Sequence, residues 1–121
     1  MKKILFLLIP VFLLASCTLH KPLYSWNKYD IVSYNYIKNN DEKSTQELIK
    51  NYEAIISKQN GTRKVIPPGI YADYGFVLLQ SGKTEEGNAM LEKEISLYPE
   101  SKIFIARIIK MQKKWKTPII Y

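Results

Sequence analysis

The chain has 121 residues, with 18 Lys and Arg against 11 Asp and Glu, one histidine and one cysteine. That length suits one small domain behind a leader, and a single cysteine excludes a disulfide framework or a cysteine-built metal site. The net charge of +7 points to anionic lipid or glycan as surroundings, or simply to solubility.

The first element is a leader. Lys2 and Lys3 precede an apolar run from Ile4 to Leu14, broken only by Pro10 and followed by the small residues Ala15 and Ser16. This is the layout of a secretory signal. The run falls short of the roughly 20 residues a bilayer-spanning helix needs. Cys17 then follows Leu14-Ala15-Ser16 directly, and this tetrapeptide resembles the lipobox of bacterial lipoproteins. The resemblance implies removal of residues 1–16, a diacylglycerol on the Cys17 thiol and an acylated Cys17 amine. Cysteine chemistry suits the step, since a thiolate is a good nucleophile. Two or three acyl chains hold firmly where one holds only marginally. Thr18 takes the place of the Asp that retains enteric lipoproteins at the inner membrane, which favours the periplasmic side of the outer membrane over the inner one. That address argues against nucleic acid as a partner.

Residues 17–25 read as a lipidated tether, with Pro22 discouraging helix just before it. Residues 26–117 read as the folded domain. Tyr29, Val32 and Tyr36 recur at helical steps with Ser33 and Ile37 beside them, so a first helix is expected from Trp26 to about Asn39, closed by Asn39-Asn40-Asp41. Ser44-Thr45-Gln46-Glu47 fits a capping box ahead of Leu48, Tyr52, Ile55 and Ile56, predicting a second helix from about Thr45 to Lys58. Gly61 is available for its left-handed stop. Pro68 suits the start of a third helix, whose Tyr71, Tyr74, Val77 and Leu78 share a face up to Gln80. Ser81-Gly82-Lys83 makes a turn. Thr84 is the expected cap of a fourth helix, with Glu85 and Glu86 favoured by its dipole. Leu91, Ile95 and Tyr98 form its stripe and Pro99 stops it. Ser101 is the expected cap of a fifth helix, whose Phe104, Ile108, Met111 and Trp115 repeat on one side until Pro118, with Ile105 and Ile109 alongside. Residues 118–121 form a short tail. No strand pattern competes.

Two helices around a Gly turn, with Pro after the second, form a repeat signature. Tyr71 to Pro99 resembles one tetratricopeptide repeat. Tyr71 takes its first aromatic place, Gly75 the place where two helices cross closely, and Leu78 and Leu91 its large apolar places. Gly82 falls at the turn and Pro99 at the terminator. Gly87 and Glu94 stand where the repeat prefers Ala, so the second helix is expected to pack differently on the Glu94 side. Over a longer span, Leu23-Tyr24-Ser25-Trp26 with Tyr29, then Pro67-Pro68-Gly69, then Tyr98-Pro99-Glu100-Ser101, resemble the signature places of an uncharacterised family of small bacterial lipoproteins with tetratricopeptide-like helices. The resemblance runs from about Cys17 to Ile109. Genes of that family commonly sit beside two other lipoproteins, one similar to the curli secretion channel, which implies a shared envelope complex.

Catalytic chemistry finds little support. His20 lies three residues from the lipidated cysteine, where nothing holds partners at fixed geometry. Most of the carboxylates fall at helix starts or on polar faces, and no pair is marked out for glycoside cleavage. Aromatic residues serve both cores and interfaces. Tyr24, Trp26 and Tyr29 beside the tether are the candidate partner-binding residues, with Trp115 at the far end of the chain. The lysines around Trp115 suit either a solvated helix or one lying on anionic headgroups.

The expectation is therefore an all-α fold of about five helices in antiparallel pairs, tetratricopeptide-like, behind a lipoprotein signal peptide. The expected role is a non-enzymatic interaction module, anchored through lipid on Cys17, with other envelope lipoproteins as partners and no cofactor, metal or small-molecule substrate. A peptidoglycan-binding or synthase-regulating lipoprotein is the alternative.

Overall fold

The computed structural model describes residues 20–116, with side chains as far as Lys114. Cys17 and the tail at 118–121 lie outside the described residues, and so does the side chain of Trp115. Among the described residues the fold is all-helical: α1 (Tyr29–Asn39), α2 (Glu42–Ser57), α3 (Ile70–Gln80), α4 (Thr84–Leu97), a 3-10 turn (Pro99–Ser101) and α5 (Lys102–Lys116). The connections α1–α2 and α3–α4 are short, so each pair is an antiparallel hairpin, and α5 packs against α3 and α4.

Several helix ends differ from the sequence expectation. Asn27 has φ 51°, a left-handed conformation that delays α1 to Tyr29 instead of Trp26. Asn40 closes α1, also left-handed at φ 48°, with its N–H on the Tyr36 carbonyl. Helix α2 starts three residues before Thr45, because Asp41 is the cap and Ser44 the third helical residue. The Asp41 carboxylate accepts the Ser44 N–H at 2.8 Å, and the Asp41 N–H donates back to the Ser44 hydroxyl at 3.4 Å. The helix ends at Ser57, and Gly61 is not a left-handed stop. Helix α3 opens from Gly69, whose φ of 93° only glycine adopts freely, so Pro68 stands outside the helix. Thr84 is the first residue of α4, which has no side-chain cap. Ser101 ends the 3-10 turn, and its hydroxyl points to Glu94 (3.5 Å).

Helix α3 is the centre of the molecule. It is apolar nearly all round, the pattern of a helix covered on several sides. Ile70, Tyr74, Val77 and Leu78 join Leu48, Ile49, Tyr52 and Ile55 of α2 in one core, against which α1 lays Tyr29, Val32 and Tyr36. Ala72 and Leu79 join Leu91 and Ile105 in a second core with α4 and α5. The expected stripe of α5 is rotated: Ile105 and Ile108 are buried, whereas Phe104 and Met111 are exposed. Ile105 and Ile108 share the side of the helix that meets α3 and α4, and Phe104 and Met111 lie roughly 70° and 90° round from the middle of that side.

Candidate functional site

The N-terminal segment is bound to the domain body from Pro22 onward. Thr62 and Arg63 donate their N–H groups to the Pro22 and Leu23 carbonyls, both at 3.1 Å. Gly61 makes this possible, since a Cβ there would overlap the Leu23 carbonyl oxygen. The Gln59 side chain accepts the Ser25 N–H and donates to the Ser25 carbonyl, both at 3.0 Å. The Arg63 guanidinium donates to the Tyr24 hydroxyl at 2.8 Å. The part of the expected tether from Pro22 to Ser25 therefore belongs to the folded unit.

These contacts bring three of the four predicted aromatic residues together. Tyr24 and Trp26 meet edge to face at 6.3 Å, Trp26 and Tyr29 at 5.7 Å, Tyr29 and Tyr52 at 6.0 Å, and Tyr52 stacks on Tyr74 at 5.4 Å. The result is an aromatic ladder from the surface into the core. Trp26, its outer rung, is 41% exposed, and Tyr24 and Tyr29 are half-buried. Sequence reasoning missed the inner rungs, Tyr52 and Tyr74, as parts of this row. Each shows only the periodicity of a core position, and their juxtaposition with Tyr29 is a long-range fact.

Two rungs hold carboxylates. The Tyr29 hydroxyl donates to Asp73 Oδ2 at 2.6 Å, and the Tyr74 hydroxyl to Glu53 Oε1 at 3.2 Å. Burial pushes Asp73 above the ordinary carboxylate range, against the opposing pull of the Tyr29 hydroxyl. Burial, reinforced by these acids, pushes both Tyr29 and Tyr74 up to about 12, and the Tyr52 phenol is pushed up further, again chiefly by burial. A phenol with a raised folded-state pKa holds its proton in the fold while the unfolded chain releases it near pH 10. Its stabilising contribution is present below pH 10 and is lost as pH rises toward 12 and beyond. Alkaline titration should therefore unfold the domain cooperatively, with the last of the tyrosinate absorbance appearing together with loss of helical circular dichroism. Tyr29→Phe with Tyr74→Phe should move the midpoint to higher pH. All nine tyrosines ionising near pH 10 in a chain that stays helical would contradict the buried ladder.

Beside the ladder, α1 has no fully buried residue. While Tyr29, Val32 and Tyr36 pack inward, Ile31, Tyr34 and Ile37 stand outward at 59, 61 and 78% exposure. Lys38 sits 5.8 Å over the Tyr34 ring. On the opposite flank, a groove of about 120 Å³ runs between α4 and α5, lined by Leu79, Thr84, Asn88, Ile109, Gln112 and Lys113. It is small beside the roughly 300–1,000 Å³ of most ligand pockets. Among the described residues no three His, Cys, Asp or Glu are grouped to hold a metal ion, and no helix is long and apolar enough to cross a membrane.

Fold and surface together define a small all-helical domain of packed hairpins with an aromatic, apolar edge. The chain belongs to the family described as Domain of unknown function (DUF4810), whose model matches residues 23–108. The matched span takes in the docked N-terminal segment, the ladder and α5 as far as Ile108. No curated protein and no solved structure matches the chain.

Proposed function

We propose that this protein is a non-catalytic, lipid-anchored interaction module of a bacterial envelope, held on the periplasmic side of the outer membrane through Cys17 and gripping other envelope lipoproteins along α1. The anchor is supported by Leu14-Ala15-Ser16-Cys17 behind the apolar leader. The observation that carries the partner reading is the outward row Ile31, Tyr34 and Ile37 on a helix whose other side already packs inward. Exposed aromatic and aliphatic side chains on a rigid helix are the usual anchors of helix-mediated recognition, and Trp26 adds an exposed aromatic ring just before the helix begins.

A photo-crosslinker placed at Ile37 should capture a second envelope lipoprotein in intact cells, whereas one at the exposed Gln46 on α2 should not. Replacing Tyr34 and Ile37 with Glu should abolish co-purification from mildly solubilised envelopes without lowering thermal stability. Recovery of this protein alone under those conditions would overturn the reading, and specific retention on purified peptidoglycan would favour a cell-wall ligand instead.

A further inference from the structure

We propose that α5 lies along an anionic bilayer surface and sets the orientation of the domain on the membrane, a proposal that rests on the lipid-anchored reading of Cys17. Residues 102–116 contain Lys102, Arg107, Lys110, Lys113, Lys114 and Lys116 and no Asp or Glu. At 100° per residue, Ile103, Phe104, Arg107, Lys110, Met111 and Lys114 fall within one third of the helix circumference, and all six are exposed. Ile105 and Ile108 lie outside that third and are buried. The outward stripe therefore alternates apolar side chains with cations. A helix of this composition sinks its apolar residues to the headgroup boundary while the cations meet lipid phosphates. A solvated outer helix needs no Ile103, Phe104 and Met111 on its exposed face.

The position of the anchor supports the same occupant. The α2–α3 loop and the α4–α5 turn lie at one end of the hairpins, where the Tyr98 hydroxyl donates to the Ile66 carbonyl at 2.6 Å. The N-terminal segment is bound at that same end, through Arg63 to Leu23 and Tyr24. Cys17 precedes Pro22 by five residues, a span of at most about 18 Å when fully extended. Lipid on Cys17 therefore places the end of the hairpins that carries the first turn of α5 on the membrane side of the domain.

The test uses the full chain carrying Met111→Cys, reconstituted in vesicles of phosphatidylcholine alone or with phosphatidylglycerol. The readout is the rate of labelling of residue 111 by a charged maleimide. Labelling should slow at least tenfold on the phosphatidylglycerol vesicles. Adding Arg107→Glu and Lys110→Glu should restore the fast rate, each cation near such a surface contributing about fivefold in partitioning. A Gln46→Cys control on α2 should label equally on both vesicles. Equal rates at residue 111 on the two vesicles would overturn the proposal. So would slow labelling in both that persists in detergent, which would mean that protein covers the stripe. Intact mass reports diacylglycerol on Cys17 independently. An unmodified Cys17 sinks the anchor reading, whereas equal rates on a lipidated chain sink the α5 proposal alone.

Discussion

Gly75→Val should destabilise the domain by about 3 kcal/mol, read as a lower urea midpoint at unchanged slope. A Cβ at Gly75 would lie 2.8 Å from the Gly87 carbonyl oxygen and 2.9 Å from Leu91 Cδ2. The leucine can turn aside, but the carbonyl is backbone, so relief requires α3 and α4 to part. The crossing is reciprocal: a Cβ at Gly87 would meet Leu79 Cγ at 2.7 Å and the Gly75 carbonyl oxygen at 2.8 Å. Overpacking of this kind costs about 1–3 kcal/mol, occasionally more, and valine recovers only about 0.4 kcal/mol of the helix propensity that glycine forgoes. In a domain whose whole stability is of order 5–10 kcal/mol, that loss is large. Gly75→Ala should cost less. Gly82→Ala, at a turn glycine with φ 82° and open space around it, should cost about 1 kcal/mol from backbone strain alone. A Gly75→Val chain as stable as the parent would show that the two helices do not cross at these glycines.

Glu94→Ala should cost about 3 kcal/mol for a different reason. Glu94 is wholly buried, and its Oε1 accepts the Gly69 N–H at 2.7 Å at the opening of α3. That N–H belongs to the left-handed cap residue, and no side-chain cap serves this helix start. A buried donor left without an acceptor costs about 1–3 kcal/mol, and the deleted methylenes add a transfer and cavity cost of similar size. Glu94→Gln keeps the reach and an acceptor for Gly69, but it aims an NH2 group where Oε2 has no hydrogen-bond partner, so it should cost about 1 kcal/mol. Thermal unfolding of the three chains should rank parent above Gln above Ala. A Glu94→Ala chain unfolding with the parent would mean that the Gly69 contact adds nothing. The Glu94 carboxyl joins α4 to the start of α3 and reaches toward the turn before α5.

Much of the architecture was legible in the sequence. Five helices, the breaks at Asn40, Gly82 and Pro99, and most inward positions of α2, α3 and α4 follow from periodicity and from residues with narrow φ preferences. The capping of α2 was misplaced by three residues because Asp41 and Ser44 both accept backbone N–H groups, and only the conformation at Asp41 decides between them. Periodicity does not settle the face of α5, because its apolar residues occur all round the helix and Ile105 and Ile109 stand beside the Phe104, Ile108, Met111 and Trp115 stripe. For the candidate site, the grouping of Tyr24, Trp26 and Tyr29 was visible as a cluster along the chain. Tyr52, Tyr74 and Asp73 were not, since the Tyr29 hydroxyl finds Asp73 across 44 residues.

By itself the sequence determined the number and order of the helices and the turns between them, because each depends on neighbours a few residues apart. Only the tertiary structure decided that Gly61 seats the N-terminal segment, that Gly75 and Gly87 face each other, that Glu94 is buried at the start of α3, and that Phe104 and Met111 point outward. Those four facts are set by atoms brought together from distant parts of the chain, where sterics and hydrogen bonding act with no local pattern to announce them.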